Sequence, residues 1–310
     1  MSRTFRFGVQ ASGAYTAGAW RDKAREAEAL GYSSLLIPDH LDTQWGPLVS
    51  MTVAAEATER LTVGTLVLAN DYRNPVVLAK EIATLDVVSG GRVEFGIGAG
   101  WREMDYRAAG LTFDPAAERI DRLGESLAVL KDIWATASVR RTGSHYAVNT
   151  NYGHPQPVSL PHPPILIGGG GKRMLTLAAR EADIVGVNPK MSSGRMDSGA
   201  GRAAVDDAFD ERIGWIRDAA GDRWGDIELQ CLVVTCRITT DREASVRTYA
   251  KAIGMTEDEF GATPMALVGS VDEICDQLLE HRERWGFTYW VISDGAARAF
   301  APVVARLAGR

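Results

Sequence analysis

The sequence predicts an α/β protein, a (β/α)8 TIM barrel with insertions after its fourth and sixth strands, and three features carry that expectation. At 310 residues the chain exceeds the roughly 250 that a closed barrel uses as one unit. Short β-branched runs alternate with amphipathic helical stretches, the pattern of a parallel sheet wrapped by helices. Eight such units occur, which favours closure over an open doubly wound sheet. Residues 1–310 are therefore expected to form one barrel domain.

Phe5 to Gln10 reads as the first strand, followed by a helix from about Ala17 to Leu30. Gly31 stands just past that helix, where a left-handed residue ends the turn. Ser34 to Ile37 is the second strand and Pro47 to Glu59 its helix. Leu61 to Leu68 is the third; Asn74 then caps, and Pro75 starts, a helix running to Val88. Val93 to Gly98 is the fourth, with a long helix from about Ala117 to Ala135. Ser138 to Pro164 lacks helical period and holds His145, His154, His162 and five prolines, so it is expected as an excursion. Ile165 to Ile167 is the fifth strand and Arg173 to Glu181 its helix. Ile184 to Val187 is the sixth, trailed by Asn188 to Arg202, which has the Gly-, Ser- and Met-rich composition of a mobile loop. A helix from Ala203 to Ala219 follows. Ile227 to Arg237 reads as one continuous seventh strand, leading to helices near Glu243 to Ile253 and Val271 to Trp285. Tyr289 to Ser293 is the eighth strand and Ala299 to Leu307 the closing helix.

Composition narrows the function classes. Hydrophobic residues at 45% and charged residues at 24% are ordinary for a globular chain. Lys and Arg number 34 against 40 Asp and Glu, a net charge of −6 that offers no global attraction to nucleic acid or an anionic membrane. A local basic pocket for a phosphorylated ligand stays open. No run of 18 apolar residues is present, and Met1 to Val9 lacks the apolar centre of a signal peptide. Cys231, Cys236 and Cys275 are odd in number and not at zinc-ligand spacing. Five positions along one strand would put the first two on opposite faces, so all three are expected as reduced core thiols of a cytoplasmic protein.

In a barrel, chemistry collects at the C-terminal ends of the strands, and five segments fall there. Pro38-Asp39-His40-Leu41, with Trp45 beyond, offers an acid and an imidazole for proton transfer, or else a helix cap beside a packed histidine. Thr65 to Arg73 ends in a polar cluster that includes Asn70 and could grip a ring or hydroxyls. Gly96, Gly98 and Gly100 alternate before Trp101, letting a flat ring approach the backbone. No dinucleotide fingerprint follows, because Trp101 stands where its third glycine belongs. The sharpest segment is Gly168 to Arg173, a strand running straight into a helix. Its backbone N–H groups suit a phosphate, and Lys172 and Arg173 oppose the helix dipole unless an anion lies beside them. A flexible turn is the bland alternative. The Lys190 to Arg202 loop, with Arg195 and Arg202, is either a substrate lid or a solvated connection. With no metal or Ser-His-Asp signature, the residues point to a barrel enzyme that takes a phosphate-bearing cofactor or substrate.

Over nearly all its length the chain resembles the bacterial luciferase-like flavin and deazaflavin oxidoreductases. The likeness is carried by Leu66 to Pro75, Gly98-Ala99-Gly100-Trp101, Ile167 to Gly171 and Ala178 to Asp183. Within that superfamily it is most similar to the branch assigned to coenzyme F420, a deazaflavin. The resemblance implies F420-dependent hydride transfer to or from a small-molecule substrate, by a homodimer. The alternative is an FMN-dependent monooxygenase fed by a separate reductase. Asp39 and His40 fall on the family's cofactor-ring and acid–base positions, and Trp45 lies one residue from an active-site tryptophan. Leu66 and Val67 match a non-proline cis peptide behind the ring. Gly98, Ala99 and Gly100 match a loop lining the ring, and Gly168, Gly169, Gly170 and Gly171 the phosphate cradle. Where the family's sugar-phosphate dehydrogenases carry a catalytic Glu, this chain has Trp101, with Glu103 and Asp105 in another register. That departure argues against a sugar-phosphate substrate and leaves proton transfer to His40 alone.

Overall fold

Eight parallel strand positions close into a barrel in the computed structural model, which describes residues 3–189 and 206–310. They are Arg6–Gln10, Ser34–Ile37, Thr62–Thr65 continued by Leu68–Ala69, Val93–Gly98, Ile165–Gly169, Ile184–Val187, Glu228–Leu232 and Phe287–Ser293. Phe7 pairs with Trp290 between the first and last strands, and Val63 with Val93 between the third and fourth. The strands read as unbroken apolar runs because both of their faces are covered. Along Ser34–Ile37, Leu35 and Ile37 point out into the layer beneath the helices, while Leu36 joins Leu166, Tyr289 and Val291 inside the barrel.

Several helices begin where the sequence places them, but the closing one, Asp294–Leu307, starts five residues before the expected Ala299. The Asn74 side chain accepts from the Val76 N–H at 2.9 Å, Pro75 takes the first helical position, and the helix Pro75–Ser89 ends at left-handed Gly90. Ser270 and Glu273 form a reciprocal capping box at the start of Val271–Trp285. Among the described residues, no helix is long and apolar enough to cross a membrane.

Three expectations are corrected. The run from Leu61 to Leu68 is not one strand: pairing stops at Thr65, the Leu66–Val67 peptide is cis, and pairing resumes at Leu68 against Ile97. Nor is Ile227 to Arg237 one strand. It leaves the barrel after Leu232, where the Val233 N–H donates to Val291 O and the N–H groups of Val234 and Thr235 both turn to Met265 O. Thr235–Ile238 then pairs with Ala266–Gly269 in a separate two-stranded sheet. The helices Arg242–Ile253 and Glu257–Ala262 lie between these two strands. An insertion absent from the sequence expectation therefore follows the seventh strand, with its own small core of Val246, Ala250, Met255, Phe260, Ala266 and Val268. Cys231 and Cys236 consequently sit in different sheets. All three cysteines are free, and Cys236 is only half-buried.

The excursion after the fourth helix contains an antiparallel hairpin, Val139–Thr142 with Ala147–Thr150. A short helix, Glu103–Ala109, precedes the long one, Ala116–Thr136. The Lys190 to Arg202 loop, with Arg195 and Arg202, lies outside the described residues.

Two polar arrangements hold the strands from inside. At the floor, Arg6 donates to Glu228 through Nε and Nη2, the latter at 2.6 Å, and to Glu94 through Nη1 at 2.8 Å. The Tyr289 hydroxyl donates to the other Glu94 oxygen at 2.9 Å, and its ring lies 3.4 Å from the Arg6 guanidinium. At the seam between the third and fourth strands, the Thr65 hydroxyl donates to Gly96 O at 2.6 Å and accepts from Gly96 N–H at 3.1 Å. A Cβ at position 96 would lie 1.8 Å from Thr65 O, so only glycine fits.

Candidate active site

The C-terminal ends of the strands open into one cavity of about 1810 Å³. On one wall stands His40, from the loop after the second strand. Its Nδ1 lies 2.7 Å from Asp105 Oδ2. Asp105 sits in the first turn of Glu103–Ala109, its side chain 5% exposed, and its second oxygen accepts from the Leu41 N–H at 3.4 Å. A carboxylate can only accept, so Nδ1 carries the hydrogen of this pair and Nε2 is the nitrogen left for exchange. No described residue bonds Nε2. Trp101 packs edge-on to the imidazole with centroids 5.6 Å apart. Arg102 bridges Asp42 at 2.7 Å and reaches Asp105 at 3.6 Å. That Arg102 hydrogen bond holds the Asp42 carboxyl below its ordinary range.

The sequence alone points to His40 for proton transfer and gives Asp105 no part in it. The structure adds Asp105 as a partner of the His40 imidazole: the two side chains meet across 65 positions of chain, a separation that no local motif reports. Asp39 also lines the cavity, but its oxygens are engaged. Arg73 takes both, at 2.5 and 3.0 Å, and the Ala69 N–H donates to one at 3.0 Å. Trp45 stands outside the cavity lining, its ring 5.9 Å from that of Trp20. Asn70 is likewise outside it, buried, with Nδ2 3.3 Å from the Tyr146 hydroxyl on the hairpin.

Leu66 and Val67, with their cis peptide, lie on the cavity wall together with Gly98, Ala99 and Gly100. Arg119, which the sequence reading passed over, holds that glycine loop. It donates through Nη1 to Ala99 O at 3.1 Å and to Gly100 O, and through Nε to Asp114 O at 2.9 Å. Gly168 to Gly171 and Lys172 line the cavity where the fifth strand gives way to the helix Lys172–Glu181. The turn is fixed from outside: Asn188 N–H donates to Gly169 O at 2.8 Å, and Arg212 Nε to Gly170 O at 3.2 Å. A Cβ at Gly170 would lie 2.3 Å from Pro189 O. Gly171 gives the helix no side-chain cap, so no capping side chain takes up its first N–H donors. Of the two basic residues expected to need an anion, Arg173 has a protein partner, Asp121 at 2.5 Å, whereas Lys172 is exposed with no partner among the described residues. Arg212 is buried with Nη1 unpartnered, and that burial pulls its guanidinium below its ordinary value. Among the described residues, no group of three or more His, Cys, Asp or Glu side chains is placed to hold a metal ion.

The luciferase-like monooxygenase family model matches residues 3–210. The chain is 32% identical over 172 residues to an F420-dependent glucose-6-phosphate dehydrogenase of Amycolatopsis mediterranei, covering 52% of this chain and 50% of that one. It is 33% identical over 127 residues to an FMNH(2)-dependent dimethylsulfone monooxygenase of Pseudomonas putida, covering 41% and 35% respectively. The chain's match thus spans about half the length of the first curated relatives. Among solved structures, the coenzyme F420-dependent tetrahydromethanopterin reductase of Methanopyrus kandleri superposes with a TM-score of 0.79 at 19% identity, covering 98% of this chain and 99% of that one. At that identity the likeness speaks for the fold.

Proposed function

The chain belongs to the luciferase-like monooxygenase family, and we propose that it is an oxidoreductase using coenzyme F420 to move a hydride to or from a small organic substrate. The observation that carries this reading is the His40–Asp105 pair, placed on a cavity that is also walled by bare glycine backbone. The residues present suit such a cofactor. A Cβ at Gly98 would meet Val67 Cγ2 at 2.9 Å, so glycine there leaves Val67 uncovered for the face of a ring. Gly168 to Gly171, the uncapped N–H groups after them and Lys172 would hold the phosphate.

When bound, a deazaflavin supplies two-electron hydride chemistry. Leu66, Val67, Gly98, Ala99 and Gly100 would bracket the ring. Asp39, locked to Arg73 and Ala69, would keep the His40 loop in place. His40 would handle the proton at Nε2, since reducing a carbonyl adds a hydride at carbon and a proton at oxygen, and oxidising an alcohol removes both. Asp105 would orient the imidazole and offset its charge while it is protonated. Trp45 and Asn70 enter this reading only as supports packed behind the site.

The test is to mix the purified protein with F420 and with FMN and pass each mixture through a desalting column. Retention of the deazaflavin absorbance with loss of FMN is expected. The reverse, with oxygenation of substrate in air, would favour a monooxygenase fed by a separate reductase, the reading that the Pseudomonas relative supports. We also propose a homodimer. Val49, Val77, Val87 and Val88, exposed on two adjacent helices, support it, and sedimentation velocity tests it. The three free cysteines support a reducing, cytoplasmic setting.

A further inference from the structure

The cavity has a second wall, contributed by the insertion after the seventh strand and by the helix Asp206–Ala220. Trp215, Leu232, Val234, Ile253, Met255 and Met265 form it. Val234 is 58% exposed and Ile253 45%, two aliphatic side chains that the fold leaves uncovered on the face of a cavity. Met255 and Met265 behind them are buried, and their flexible thioethers can adapt to bodies of different shape. Lys251 is the one cation among the described residues of this wall, and it stands exposed at the end of its helix with no described partner. A phosphate needs several convergent donors, and sugar hydroxyls need partners once they leave water. Among its described residues, this wall offers a single lysine for the first and only the hydroxyls of Thr235 and Thr263 for the second.

Resting on the hydride-transfer reading above, we infer that the substrate is a largely hydrocarbon molecule with a single carbonyl or hydroxyl carbon. Its polar carbon lies at His40 and its apolar body along this wall. Burial of that body supplies the affinity, and the few polar groups near His40 set its orientation.

Methyl ketones of rising length, from butanone to a decanone, test this on protein holding oxidised F420, where no turnover competes with binding. Trp101 and Trp215 both line the cavity and report by fluorescence quenching. The dissociation constant is expected to fall by about fourfold per added methylene until the wall is filled, the usual increment for a buried CH₂. Glucose 6-phosphate should give no saturable signal. Val234→Asp and Ile253→Asp should each flatten the chain-length slope while leaving F420 retained on the desalting column. A dissociation constant independent of chain length, a slope untouched by both variants, or tighter binding of glucose 6-phosphate than of the decanone would overturn the inference. A steep slope on protein that does not retain F420 would overturn the cofactor reading and leave the apolar wall standing.

Discussion

At the floor of the barrel, Arg6 meets two carboxylates backed by a tyrosine hydroxyl, and every charged atom there is answered by another. At the mouth, His40 Nε2 and Lys172 have no partner among the described residues, and the helix after Gly171 has no side-chain cap. Both clusters are polar and sit in one strand framework. They differ in what is left over once the protein has made its own bonds. Burial alone would lower the Arg6 proton affinity, yet Glu94 and Glu228 hold its guanidinium well above the ordinary value. A cluster closed on itself in this way is structural, and its cost appears when one partner is removed. One with residual valence can act on a ligand.

The sharpest way to break that division is His40→Asn. Turnover should fall by ~10²–10⁴, the usual size of a lost general acid or base, with the melting temperature nearly unchanged. A near-normal single-turnover rate with a lowered melting temperature would move His40 into the structural class. Arg6→Leu should do the opposite. It strands two buried carboxylates and should cost about 3–5 kcal/mol in urea denaturation, leaving turnover per folded molecule intact. An unchanged unfolding midpoint would undo the contrast.

His281 tests whether an orphaned buried atom is enough to mark function. Its Nε2 has no partner, its ring stacks on Trp285 at 5.0 Å, and burial pushes its proton affinity down to about 4. The unfolded chain takes up a proton near the ordinary value of about 6.5. Stability from this group is therefore whole above that pH, declines as pH falls toward about 4, and is constant below. The loss should reach about 3 kcal/mol. His281→Leu should remove that slope in unfolding curves at a series of pH values without altering the rate at neutral pH. An equal slope in the variant would assign it elsewhere.

The smallest expected effect is at the cradle. Gly170→Asp should weaken F420 binding at least tenfold, about 1.4 kcal/mol. Since a Cβ there runs into Pro189 O, Gly170→Ala should lose nearly as much. A silent Ala beside a damaging Asp would make charge the whole cause, and unchanged affinity in both would remove this turn from the site.

The fold was legible wherever local periodicity decided it. Ser34–Ile37, Val93–Gly98 and Ile184–Val187 fall on their expected bounds because each is a short apolar run between turns. The seventh strand was overrun because Val233 and Val234 continue the apolar pattern; only the distant Met265 carbonyl, which draws the backbone away, ends it. Within the site, the glycine segments could be read because glycine itself is the signal. The roles of Asp105 and Arg119 could not, since each acts through a partner brought near by barrel closure, and Arg73, read only as part of a polar cluster, turns instead onto Asp39. Trp45 shows the converse: proximity in sequence to His40 did not bring it to the cavity, because its ring is claimed by Trp20.

The Thr65–Gly96 seam divides the heritable freedom of this chain. The loops and insertions at the mouth can drift as the ligand changes, residue by residue. Gly96 lies two positions from Gly98 yet answers to a different constraint, because both of its backbone groups are held by the Thr65 hydroxyl while the Thr65 carbonyl oxygen leaves no room for a methyl. In a saturation library scored for protein abundance, position 96 should stand empty apart from glycine whatever the selection on catalysis. A new specificity can therefore be reached from this sequence through almost any route except one that passes through that seam.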